Sequence, residues 1–140
     1  MLVHGKTIVS IIAAYKAVKS GYQVAVMAPT AILAAQHLES FQEILTPFGI
    51  RCELLVSSIT KKKKEEILAR LQKGEINILI GTHSLLEDNV VFQNLGFVVT
   101  DEQHRFGVRQ RSTIVSKGNN PDVLVMTATP IPRTLALILY

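Results

Sequence analysis

Short, almost uninterrupted apolar runs alternate along this chain with longer stretches in which apolar residues recur every three or four positions. The runs at residues 24–28, 52–56, 76–80, 97–100 and 123–126 predict strands. A strand with one wet face would alternate apolar and polar residues; these do not, so both faces are expected to be covered. The longer stretches predict helices. One spans residues 7–20 and closes at Gly21, a residue suited to a helix C-cap. A second, at 31–45, stops before Pro47. A third, at 60–72, opens on Thr60, closes at Gly74 and gathers Ile67, Leu68 and Leu71 on one face. A last helix is expected from about Pro132 to the C-terminus. Strand and helix in alternation imply an α/β fold with a parallel sheet covered by helices on both sides, a three-layer αβα arrangement.

Composition narrows this picture. A chain of 140 residues with 48% hydrophobic positions is one domain with a sizeable core, not a disordered or fibrous polymer. No apolar run approaches the ~18 residues of a membrane span, and no secretory leader opens the sequence. The one cysteine, Cys52, excludes an internal disulfide framework and a multi-cysteine zinc site, and fits a reducing, cytoplasmic setting. A net charge of +4 permits an acidic partner such as DNA without requiring one. The charge run at residues 61–64 reads as the solvated first turn of a helix, with Glu65 and Glu66 spaced to offset Lys61 and Lys62.

Two constellations carry chemistry. Gly5-Lys6-Thr7, followed by an apolar helical stretch, is the back half of the phosphate-binding pattern G-x-x-x-x-G-K-[ST]. Phosphate binding needs convergent backbone N–H groups, a helix N-terminus, a lysine charge and a hydroxyl for magnesium; Lys6 and Thr7 supply the last two. Met1-Leu2-Val3-His4 is a poor substitute for the glycine-rich front half. The second constellation is Asp101-Glu102, two carboxylates at the tip of an apolar strand. In an α/β fold ligands bind at strand tips, where one carboxylate holds magnesium and the next orients the attacking water. Together the two motifs point to hydrolysis of a nucleoside triphosphate.

Asp101-Glu102-Gln103-His104 resembles the D-E-x-H box of superfamily 2 helicases, and its continuation through Arg105-Phe106-Gly107-Val108 resembles the RecG family of bacterial branched-DNA helicases. Further matches occur in order: residues 28–37 resemble motif Ia, 81–86 motif Ib, and 127–137 motif III. Ala31 stands where the family usually has glutamate. The resemblance implies a P-loop NTPase (RecA-like) sheet, incomplete at its N-terminal strand, with residues 1–140 as the first RecA-like, ATP-binding domain truncated at both ends. The second RecA-like domain, which holds the arginine fingers, and the wedge domain would then be partners elsewhere in a parent chain, and the segment alone would be inactive.

By the same resemblance Gly5, Lys6 and Thr7 bind the phosphates of ATP. Thr7 and Asp101 hold Mg2+, and Glu102 polarises the water. Gln103 and His104 sense the γ-phosphate and relay it to Thr127, Ala128 and Thr129. Pro29-Thr30 and Gly81-Thr82 each follow a strand and precede a helical stretch, where N–H groups, a hydroxyl and a helix dipole suit a DNA phosphate without reading its base. Either threonine is equally explained as a helix N-cap. His37 reads as a surface or packing residue, and His83 as lying near the DNA face or simply structural. Arg105, Arg109 and Arg111 fit a solvated turn or a DNA or interdomain contact. Two alternatives stand beside the RecG reading. One is a transcription-repair coupling translocase, whose box reads D-E-E where this chain has Gln103. The other is a nucleic-acid-binding module without catalysis.

Overall fold

The computed structural model describes residues 5–101 and 107–126, with Gly5 and Lys6 described by their backbone alone. Its five strands are β1 (Gln23–Met27), β2 (Cys52–Leu55), β3 (Ile78–Gly81), β4 (Leu95–Asp101) and β5 (Gly118–Met126). All pair in parallel, in the order β2-β3-β1-β4-β5. The helices are α1 (Gly5–Lys19), α2 (Ala31–Leu45), α3 (Lys61–Gln72) and α4 (Val108–Ser116).

Every residue of β1 is buried, and its side chains divide by the strand period of two. Val24 and Val26 join Ile78, Ile80 and Val99 beneath Ile11 and Ala14 of α1 and Ala34, Phe41 and Leu45 of α2. Ala25 and Met27 join Leu79 and Val98 beneath Ile67 and Leu71 of α3 and Ile114 of α4. The sheet is thus sandwiched between two helical layers, which is why its strands are continuously apolar in sequence. At its N-terminal edge Gln23 is a buried clasp. Its Nε2 donates to the carbonyls of Leu71 (3.0 Å) and Ile76 (2.8 Å), while its Oε1 accepts from Asn94 N at 2.9 Å.

Local signals set the helix ends. Thr30 and Thr60 accept the N–H groups of Leu33 and Lys63 and cap α2 and α3. Gly21 and Gly74, at φ +94° and +80°, take the left-handed turns that follow α1 and α3. The ion pairs around residues 61–64 are Lys63 with Glu66 and Lys64 with Glu87.

One expectation is corrected. Residues 108–116, containing Arg109 and Arg111, form α4 rather than a solvated turn. Only Ile114 of that helix is buried, so its sequence carries almost no apolar stripe. The helix expected from Pro132 lies outside the described residues. No described helix is long and apolar enough to cross a membrane.

Candidate active site

Parallel register brings four segments to one edge of the sheet. Met27 pairs with both Gly81 and Thr100, and Asp101 pairs with Met126. The carboxyl ends of β1, β3, β4 and β5 therefore lie together at one edge. Ala28 N donates to Gly81 O at 2.9 Å and holds the first two side by side.

The start of α1 belongs to the same edge. The turn at Gly21 passes the chain directly from the end of α1 into the beginning of β1, so α1 runs back against the strands. Its last turns, through Lys16 and Ala17, line a shallow cleft with Ser20, Gly96, Asn119 and Asn120 at the opposite, amino-terminal edge. Thr7, in the first turn, is buried, and Ser10 is fully so. A fifteen-residue helix with its positive end at this edge favours an anion there.

Asp101 ends β4 and is 2% exposed. It stands two residues beyond Val99 and so faces the layer of α1 and α2. There it meets His37 of α2, whose Nε2 lies 3.1 Å from Asp101 Oδ2. The contact joins an imidazole nitrogen to a carboxylate oxygen, and it is the Nε2–H tautomer of His37 that can donate in it. His37 is thus buried in a polar contact at the candidate site, beyond the surface or packing role its position in the sequence suggested. A signal for it existed: Ala34, His37, Phe41 and Leu45 form the buried stripe of α2, and an imidazole on an apolar stripe requires a partner.

The two threonines at the edge differ. Thr30 is exposed, with its hydroxyl capping α2. Thr82 is buried, its Oγ1 3.4 Å from Ser84 Oγ, and it leads into a single 3-10 turn, His83–Leu86, rather than a helix with a dipole. Gly81 has a packing reason: a Cβ there would collide with the Leu55 carbonyl of β2. Lys117, after α4, donates from Nζ to the carbonyls of Glu87 and Val90, both at 2.7 Å, and so ties the chain beyond Thr82 to α4. Cys52 is buried in β2 and its thiol is pushed up to about 12, first by burial and then by Glu53, which disfavours the thiolate.

Glu102, Gln103, His104 and Arg105, and Thr127, Ala128 and Thr129, lie outside the described residues, as does the side chain of Lys6. Among the described residues no three His, Cys, Asp or Glu side chains cluster as a metal site. What the edge does bring together is a buried carboxylate, a buried threonine hydroxyl and a helix N-terminus.

A sequence profile of the DEAD/DEAH box helicase family matches residues 4–138. The chain belongs to that family. Among curated DEAD/DEAH relatives it is 53% identical over 138 residues to the ATP-dependent DNA helicase RecG of Aquifex aeolicus strain VF5, covering 97% of this chain and 17% of that protein. It is 54% identical over 136 residues to RecG of Bacillus subtilis strain 168, covering 97% and 20%. A solved structure of RecG bound to a three-way DNA junction superposes with a TM-score of 0.78 at 44% identity, over 97% of this chain and 18% of that one. The chain therefore spans at most a fifth of the length of these relatives. The D-E-Q-H box and its RecG-like continuation agree with these matches, against the coupling-translocase alternative. The fold is the RecA-like α/β sheet of this helicase family.

Proposed function

We propose that this chain is the first RecA-like domain of an ATP-dependent DNA helicase that remodels forked or branched DNA. The observation that carries the reading is the buried carboxylate of Asp101 at the edge where α1 begins with Gly5, Lys6 and Thr7. A single carboxylate and a hydroxyl at one sheet edge are a donor set magnesium uses when phosphate oxygens and water complete its shell, so these residues fit a Mg2+-nucleotide. Bound there, the ion would neutralise charge on the β- and γ-phosphates.

The protein's own groups have distinct tasks. The N–H groups at the start of α1 and the Lys6 ammonium would hold the phosphates, and Thr7 and Asp101 would hold the ion. Glu102 orients the water that attacks the γ-phosphate and takes up its proton. Gln103 and His104 connect that event to Thr127, Ala128 and Thr129. Pro29-Thr30 meets a phosphate of the DNA at its exposed hydroxyl, and Gly81-Thr82, whose threonine is buried, borders that contact; neither reads a base, which suits movement along any sequence. The second RecA-like domain supplies the arginine finger, worth ~10³–10⁵ in this chemistry, and the wedge domain meets the junction. The setting is cytoplasmic, where such DNA is found.

The test is steady-state phosphate release on forked DNA by the full-length helicase carrying this segment. Glu102→Gln keeps the size and most hydrogen bonding but removes the carboxylate. It should lower turnover by ~10²–10⁴-fold with ATP and DNA binding retained. Turnover near wild type in that variant would overturn the assignment, and DNA-stimulated turnover by the 140-residue segment alone would overturn the need for a second domain.

A further inference from the structure

Helix α2 joins two places that the proposed function treats separately. Its N-cap is Thr30, exposed at the candidate DNA edge. Its seventh residue is His37, bonded to the buried carboxylate of Asp101. At ~1.5 Å of rise per residue the two lie about 10 Å apart along one rigid element. We propose that His37 is a positioning residue that couples contact with DNA at the start of α2 to the orientation of Asp101. The inference rests on the proposed function, since it takes Asp101 as the carboxylate that holds Mg2+.

Three observations support it. The other buried residues of α2, Ala34, Phe41 and Leu45, are apolar and belong to the core. An imidazole in that stripe costs desolvation that an apolar side chain would avoid, so its place is accounted for by its bond. That bond ends on Oδ2 of Asp101, at 3.1 Å, and bridges 64 positions of sequence. A carboxylate that ligates a metal depends on such a partner for its orientation, and loss of the partner typically costs 10–100-fold in metal affinity or activity. Finally, the end of β1 that leads into α2 is tied to the other DNA-side segment, because Ala28 N donates to Gly81 O at 2.9 Å. A phosphate bound at Thr30 loads the end of this helix. Any shift or stiffening of α2 reaches Asp101 through the imidazole, with no moving loop required.

The experiment uses the full-length helicase carrying this segment. Phosphate release is measured against Mg2+ concentration, with and without forked DNA, alongside DNA affinity and thermal unfolding. His37→Leu keeps bulk and removes the donor. It should raise the Mg2+ concentration for half-maximal turnover about 10-fold, reduce the ratio of DNA-stimulated to basal turnover, and leave DNA affinity unchanged. His37→Gln carries an amide N–H at similar reach and should recover most of both. His37→Asn is polar but too short and should behave like His37→Leu, which keeps the comparison available where the leucine variant fails to fold. Wild-type Mg2+ requirement and DNA stimulation in His37→Leu or His37→Asn would overturn the inference. So would equal losses in His37→Gln and His37→Asn that track their unfolding temperatures. A Lys6→Ala control separates the two claims: if it still turns over ATP, the proposed function itself fails, whatever His37 does.

Discussion

Lys117 Nζ donates to the carbonyl oxygen of Glu87 at 2.7 Å, and a second bond of the same length reaches Val90. One ammonium thereby closes the end of the connection between β3 and β4 onto the end of α4. Its removal should be felt in both. Lys117→Met, which keeps the stem, should cost about 1–3 kcal/mol by leaving two carbonyls without this donor, measured by urea unfolding.

The same lysine sets a dependence on pH. Burial lowers its pKa from 10.5, with Asp88 and Glu87 pulling part of the way back. A lysine whose pKa falls on folding binds fewer protons in the native state than in the unfolded one. Its contribution to stability therefore rises with pH in the window just below 10.5. Side-chain NMR should find Lys117 losing its proton at lower pH than a lysine with its ordinary pKa. A midpoint at or above 10.5 would contradict the burial argument.

Gln23 should be among the costlier polar positions to change. It serves Leu71, Ile76 and Asn94 from one buried side chain. Gln23→Leu has similar bulk but leaves the Ile76 carbonyl and the Asn94 N–H without this partner, while the Leu71 carbonyl keeps its bond from Gly74 N at 3.1 Å, for an expected loss of about 1–3 kcal/mol. Chemical denaturation measures it, and a variant as stable as wild type would show that water replaces the clasp.

Gly81→Ala separates packing from DNA contact at one residue. The added methyl meets the Leu55 carbonyl, a backbone atom that moves only if β2 shifts. Overpacking of this kind costs about 1–3 kcal/mol. The unfolding temperature should drop, and any loss of DNA affinity should scale with that drop rather than exceed it.

Thr30 and Thr82 should differ in their role toward DNA because one hydroxyl is exposed and the other buried beside Ser84. In the full-length helicase Thr30→Ala should weaken DNA binding without changing base preference. The log–log salt slope should stay unchanged, because a neutral hydroxyl neutralises no phosphate charge and releases no counterion. Thr30→Ser, which keeps the cap, should restore affinity. Thr82→Ala should act mainly on stability. A larger DNA defect from Thr82→Ala than from Thr30→Ala would reverse the assignment of the outer contact.

Much of this architecture is written locally. Continuous apolar runs such as Val24 to Ala28 announce strands covered on both faces, and Thr30, Thr60, Gly21 and Gly74 mark helix ends through bonds and dihedrals that involve near neighbours only. The same locality made α2 legible from Ala31 to Leu45. Where a helix keeps one buried residue, as α4 does with Ile114, periodicity has nothing to act on and the chain reads as a turn. Motif words pointed to Lys6, Thr7, Asp101 and Glu102 as candidates because phosphate and magnesium demand particular residue types at fixed spacing. Other facts belong to the tertiary structure alone. The order β2-β3-β1-β4-β5, the burial of Thr82, the glycine demanded at Gly81 and the meeting of His37 with Asp101 all depend on groups distant in sequence. No local propensity encodes such pairs; they exist only once the hydrophobic faces of sheet and helix have closed on each other.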